Sequence, residues 1–197
     1  MAVTGFAREY CERLSMNVWE ELRKTDPEFA DFFRNFAFDE VVNEDDLDEH
    51  TRMMAILAAL LGCQGKEIYE EMLPAALRAG VTPVEIKEIV YQATAYLGIG
   101  RVYPFFRITN QVLEAEKVAL PLEEQGTTGI EDRVEKGEQA QVDIFGEGMK
   151  GFAASGPEES RHINRWLSGN CFGDYYTRTG LNYQQREMIT FCFLAAQ

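Results

Sequence analysis

Histidine is scarce in this chain: there are two, His50 and His162. Cysteine is little commoner. Cys11, Cys63, Cys171 and Cys192 stand far apart, and no two form a C-x-x-C pair. A zinc site built from these types would need distant residues to converge, so no metal ligand is assigned. Such spacing in 197 residues does not read as a secreted disulfide framework, and reduced cytosolic thiols are expected. No apolar run reaches the length of a membrane span. The opening MAVTGFAREYCERL carries charge early and has no apolar core followed by a small-residue cleavage site, so no signal peptide is read. Basic residues are outnumbered, 19 against 33, for a net charge of −14. That deficit argues against a nucleic-acid partner and against an anionic membrane surface. No phosphate-binding glycine loop is present, and no cofactor is implied. What remains is a cytoplasmic protein that could act on a small molecule.

Helix signals dominate what is present, and the fold class is all-α. Phe6, Tyr10, Leu14, Val18 and Leu22 recur every fourth residue, one face of a first helix. Asp26-Pro27 ends it and starts another, with Asp26 as cap and Pro27 in the first helical position. Phe29, Phe32, Phe33 and Phe36 line that short helix, a stripe expected in the core. Asp46 or Asp48 starts a third helix, TRMMAILAALLG, apolar almost all round and expected to be buried. Lys66 to Ala79 forms the next, with Gly80 at the left-handed cap position. Thr82-Pro83-Val84-Glu85 is a capping box, and Ile86, Ile89, Val90, Ala93 and Leu97 form the stripe behind it. Gly98 and Gly100 break that helix, and another runs from about Arg101 to Lys117. Residues 119–131 hold a proline, two glycines and two threonines, a connector. Helices resume at Asp132–Ile144 and again from Gly156-Pro157 through Trp166. A last helix starts near Asn182, with Gln185 able to complete a capping box.

An internal repeat shows at an offset of 134: Phe38, Leu47, Arg52, Met54 and Leu60 meet Phe172, Leu181, Arg186, Met188 and Leu194. The chain then divides into a first repeat with N-terminal helices (1–118), the connector (119–131) and the start of a second repeat (132–197).

LDEHTRMMAILAALLG and AALRAGVTPVEIKEIVYQATAYLGIGRVYPFF together resemble the carboxymuconolactone decarboxylase repeat. The landmarks are an Arg-led helix, a helix ending Ala-Leu-x-x-Gly, the Thr-Pro-x-Glu box and a helix closing on Tyr-x-Gly. FGDYYTRTGLNYQQREMITFCFLAA resembles the opening of a second copy. The resemblance implies an alkyl hydroperoxidase D-like, all-α fold whose repeats pack together and assemble into trimers or hexamers, so a homo-oligomer is expected. It also implies one of two chemistries. One branch decarboxylates a lactone ring acid without a cofactor. The other has peroxiredoxin activity, reducing peroxides through a C-x-x-C pair activated by Glu and His.

Carried onto the first repeat, the Cys positions fall on Gly65 and Ile68, the His on Met72 and the Glu on Met53. None has the required atoms, so this repeat reads as structural, a scaffold or small-molecule binder if the site has decayed. Cys63 lies just outside the register and is expected as a small buried thiol at a helix end. In the second repeat Glu187 matches the acidic position and is the candidate catalytic residue. Set against the apolar MITFCFLAA, it suits a proton shuttle. The alternative is that Glu187 caps the helix or pairs with an arginine. Cys192 is expected in the core, and Cys171 is placed where it could approach the site. Tyr91, Tyr96 and Arg101 could line a pocket, or simply pack. By the offset, helices matching 64–118 should follow Gln197. The last helix is therefore expected to show apolar surface that a longer chain or another subunit covers.

Overall fold

The structure is a computed structural model that describes residues 2–16, 20–44 and 46–197. These residues form helices, turns and loops, with no strand among them. None of the helices described is long and apolar enough to cross a membrane.

Helix α1 spans Gly5–Arg13, capped by Thr4, whose side chain accepts from the Ala7 N–H. It is shorter than the four-residue apolar spacing predicts. Ser15 takes a left-handed φ of 53°, which stops the helix. Val18 lies outside the described residues, and Leu22 begins a separate short helix, α2 (Leu22–Thr25). Asp26 precedes α3 (Pro27–Asn35) at the cap position but its carboxylate accepts from Thr25 Oγ1 rather than capping. The phenylalanine stripe is a correction. Phe29, Phe32 and Phe36 are exposed, and the face of α3 turned inward carries Ala30, Arg34 and Asn35 instead. Asn35 ties that face down by accepting from the Thr4 N–H and donating to the Ala2 carbonyl. A π-helical turn, Phe36–Glu40, leads into α4 (Val41–Glu44).

Four helices form most of the core, and α1 and the last helix add buried residues to it. Asp48 starts α5 (Glu49–Gly62), its carboxylate accepting from the Thr51 N–H at 2.9 Å. Helix α6 runs Lys66–Arg78, and Gly80 follows at φ +91°, where a Cβ would be strained. The box at Thr82 closes as the sequence predicts: Glu85 N–H donates to Thr82 Oγ1, and Thr82 N–H donates to Glu85 Oε2. Helix α7 (Pro83–Leu97) then buries its whole predicted stripe. Gly98, at φ +82°, separates it from α8 (Ile99–Ala115), so Gly100 sits inside α8 rather than breaking the chain there.

No helix lies between Ala115 and Arg133. Helix α9 (Arg133–Phe145) packs on a ten-residue π-helical segment, Leu167–Tyr176, that continues α10 (Arg161–Trp166). Their approach is backbone to backbone: a Cβ on Gly137 would stand 1.8 Å from the Ser168 carbonyl oxygen, and one on Gly173 2.0 Å from that of Arg133. Residues 157–160 form a turn rather than the start of α10. The last helix, α11 (Tyr183–Ala195), is capped by Asn182 and Gln185 in a second capping box. It lies between α5 and α7, touching α5 so closely that a Cβ on Gly62 would meet the Phe193 carbonyl oxygen at 2.5 Å. Its outer face leaves Phe191 72% and Leu194 53% exposed.

Candidate active site

Helix α11 carries the sequence candidate, and its first turn enters between α7 and the π-helical segment. Arg186 is fully buried there, at 0% exposure. Its guanidinium donates to Gln92 Oε1 at 2.9 Å, to Glu88 Oε2 at 3.0 Å and to the Arg178 carbonyl at 2.9 Å. Glu88, itself buried, accepts a second guanidinium, Arg178 Nε, at 2.8 and 3.0 Å. Arg178 lies over the Tyr91 ring at 5.1 Å. Burial works against the Arg186 cation, and the Glu88 carboxylate opposes that loss. Charges taken out of water persist only when paired and hydrogen-bonded, and this cluster meets that condition at most of its atoms. Arg186 Nε is the exception, with no partner.

Glu187 follows on the half-buried side of the same turn. Tyr176 Oη donates to its Oε1 at 2.8 Å. Tyr96 Oη is 2.8 Å from Tyr176 Oη, and Cys171 Sγ donates to Tyr96 Oη at 3.7 Å. One consistent set of protons therefore runs Cys171 to Tyr96 to Tyr176 to Glu187, each group donating to the next. Thr190, which accepts from Gln92 Nε2 at 2.8 Å, stands 3.2 Å from Tyr176 Oη and ties this row to the Arg186 cluster. Burial pushes both phenols far above the ordinary tyrosine value, so they carry their protons at neutral pH. Burial also pushes the Cys171 thiol up; the Tyr96 contact opposes this and the Glu187 charge adds to it. A thiol so placed is a weak nucleophile at neutral pH.

The other candidates scatter. Met53 and Met72 are buried and apolar, Gly65 precedes α6, and Ile68 is exposed. Cys63 is exposed at the end of α5, not buried as its apolar neighbours suggest, because its side chain extends past the last turn, bonded only to the Leu60 carbonyl. Cys192 is half-buried against the core. Tyr96 joins the row described above, Tyr91 lines a groove outside α7, and Arg101 is exposed. That groove, about 630 Å³, is not lined by Glu187. Tyr176, Glu88, Gln92 and Arg178 carry the geometry yet were not candidates in the sequence. The adjacent Tyr175-Tyr176 within FGDYYTRTG was the one available signal. Among the described residues no three His, Cys, Asp or Glu side chains converge as a metal would need.

Residues 27–111 match the model of the Carboxymuconolactone decarboxylase family. The match is confined to this region, which covers less than half of the chain. It runs from α3 to α8 and so supplies Glu88, Gln92 and Tyr96, whereas Cys171, Tyr176 and Glu187 come from outside it. A relative, the 4-carboxymuconolactone decarboxylase of Acinetobacter baylyi, is 31% identical over 80 residues. That alignment covers 41% of this chain and 60% of the relative's length. The matched region thus provides one wall of the hydrogen-bonded row, and α11 with the π-helical segment provides the other.

Proposed function

We propose that this protein is a cofactor-free, decarboxylase-like enzyme in which Glu187 transfers the proton. The single observation behind this is the 2.8 Å hydrogen bond from Tyr176 to a Glu187 that still reaches solvent. Loss of carbon dioxide from a ring acid breaks a carbon–carbon bond and leaves its electron pair on the ring carbon. A positioned acid must then deliver a proton to that carbon. The Glu187 carboxyl would deliver it, and Tyr176 would hold that carboxyl in place. A carboxylated lactone, as in the name of the Acinetobacter relative, is the substrate class to try first. The match of positions 48–62 with 182–196 supports reading α5 and α11 as two copies of one repeat: both start on a side-chain cap, both follow a π-helical turn, and both lead with arginine. The same reading takes the protein as a cytoplasmic homo-oligomer that covers Phe191 and Leu194.

Peroxide reduction has less support, because burial keeps the Cys171 thiol protonated. A catalytically silent binder or scaffold is favoured by one observation, the apolar or atomless side chains at 53, 65, 68 and 72. Carbon dioxide release from 4-carboxymuconolactone tests all three. Glu187→Gln should lower turnover by about 100-fold or more and Tyr176→Phe by about tenfold, with helicity unchanged. Wild-type turnover that Glu187→Gln leaves intact would sink the proposal. Thiol-dependent peroxide consumption lost in Cys171→Ser would put the peroxidase reading in its place, and inactivity on both substrates would put the binder there.

A further inference from the structure

The outer face of α7 is spaced for a second site. Val84, Lys87, Glu88 and Tyr91 fall at i, i+3, i+4 and i+7, opposite the core stripe, and line the groove of about 630 Å³. Asn110 of α8 faces them, and residues 120–126 form the outer wall. The wall is tied down: Thr179 N–H donates to the Gln125 carbonyl at 3.1 Å, and Thr127 Oγ1 donates to the Thr177 carbonyl at 2.9 Å. A volume of this size suits a small organic molecule.

Lys87 is the unexplained group. It is nine-tenths buried, and its Nζ donates to Asn110 Oδ1, a neutral acceptor. It makes no ion pair among the described residues, although this groove contains four glutamates. Glu88 is taken by Arg178 and Arg186, and Glu114, Glu123 and Glu124 are exposed at the rim. A buried ammonium without a counter-ion is unfavourable. Two ligand types would relieve it, an anion that pairs with the cation or a carbonyl compound that reacts with the free amine. The rim decides between them. Three exposed carboxylates around the mouth, on a chain of net charge −14, repel an anion and leave a neutral molecule unopposed.

We propose that the groove between α7, α8 and residues 120–126 binds a small neutral aldehyde or ketone, held by Lys87 as an imine. The Nζ lone pair attacks the carbonyl carbon, and the carbonyl oxygen takes up a proton to give a carbinolamine. Loss of one water then leaves the C=N bond. The nitrogen has given up two hydrogens and the carbonyl its oxygen, so the atoms balance with no oxidant or reductant. Asn110 orients the amine, and the Tyr91 ring, stacked on Phe106 at 5.7 Å, offers apolar contact to the rest of the ligand. Burial lowers the Lys87 amine below the ordinary lysine value, which raises the share of free amine at neutral pH. This site is separate from Glu187 and does not depend on the decarboxylase reading.

The test is reductive trapping on the whole chain at neutral pH. Propanal and cyanoborohydride convert an imine into a stable secondary amine, located by peptide mass spectrometry. Lys87 should be propylated several-fold faster than the exposed Lys24 and Lys150, and that preference should vanish in urea. Glyoxylate, an anionic aldehyde of similar size, should label Lys87 more slowly than propanal does. Labelling of Lys87 no faster than Lys24 and Lys150, a preference that survives unfolding, or faster labelling by glyoxylate would each overturn the proposal. Because native and unfolded wild-type protein are compared, the result does not depend on a Lys87 variant that folds.

Discussion

Helices α5 and α11 begin alike and end up doing opposite things. Each has a side-chain cap, at Asp48 and Asn182, and an arginine four residues on, at Arg52 and Arg186. Arg52 reaches back to the Val42 and Leu47 carbonyls and stays partly exposed, fastening its own helix to the segment before it. Arg186 reaches the Arg178 carbonyl in the same manner but also crosses to Glu88 and Gln92 on α7. The next position differs as sharply. Met53 is 1% exposed in the core, and Glu187 is half-buried and hydrogen-bonded. A shared local plan thus sets where a helix starts, while the partner helix decides whether its first turn carries polar chemistry.

The largest expected effect tests the arginine contrast. Glu88→Leu leaves Arg186 buried without its carboxylate and should cost about 3–5 kcal/mol in urea unfolding. Arg52→Met removes backbone hydrogen bonds at a partly exposed site and should cost about 1 kcal/mol. Equal losses would mean that the two arginines do the same work. Next comes the position that follows. Met53→Glu places a carboxylate in the apolar core and should cost about 3 kcal/mol. Glu187→Met replaces a half-buried acid and should change stability by about 1 kcal/mol at most. The two helix caps should respond alike, with Asp48→Ala and Asn182→Ala each losing about 1 kcal/mol.

A smaller effect concerns acid. Burial alone would raise the Glu85 carboxyl, but hydrogen bonds from Thr82 and His50 outweigh it and hold it below the ordinary value. A carboxyl depressed in the folded state adds stability above its unfolded value, about 4.3, and that contribution is lost as pH falls through the folded value. Thr82→Ala should therefore flatten the acid side of the stability curve, measured by urea midpoints from neutral pH downward. A curve unchanged in that window would show that the Thr82 backbone N–H and His50 hold the carboxyl without the hydroxyl.

What the sequence made legible was local. Both capping boxes, the glycine at 80 and the stripe from Ile86 to Leu97 rest on contacts within a few residues. The all-α class and the family resemblance follow from them. Periodicity failed where the buried face was not the apolar one. The phenylalanines of α3 look outward because Asn35 is held inward by Thr4 and Ala2, more than thirty residues away. The close packing of Leu167–Tyr176 on α9 depends on Gly137 and Gly173, and no short-range signal encodes that pairing. Of the candidate site, Glu187 was singled out only through the resemblance of residues 172–196 to a second repeat. Its hydroxyl partners were not, because Tyr96 and Tyr176 stand 80 residues apart.

The cluster at Arg186 also sets an order of assembly. Its partners Gln92 and Glu88 lie 94 and 98 residues away in sequence. Closing so long a loop is slow compared with forming a helix. Helices α5 to α8 can gather early through near neighbours, while Glu88 keeps its water until α11 docks. The arrival of Arg186 then expels that water, so α11 acts as a latch, closing over a charge already set in place on α7.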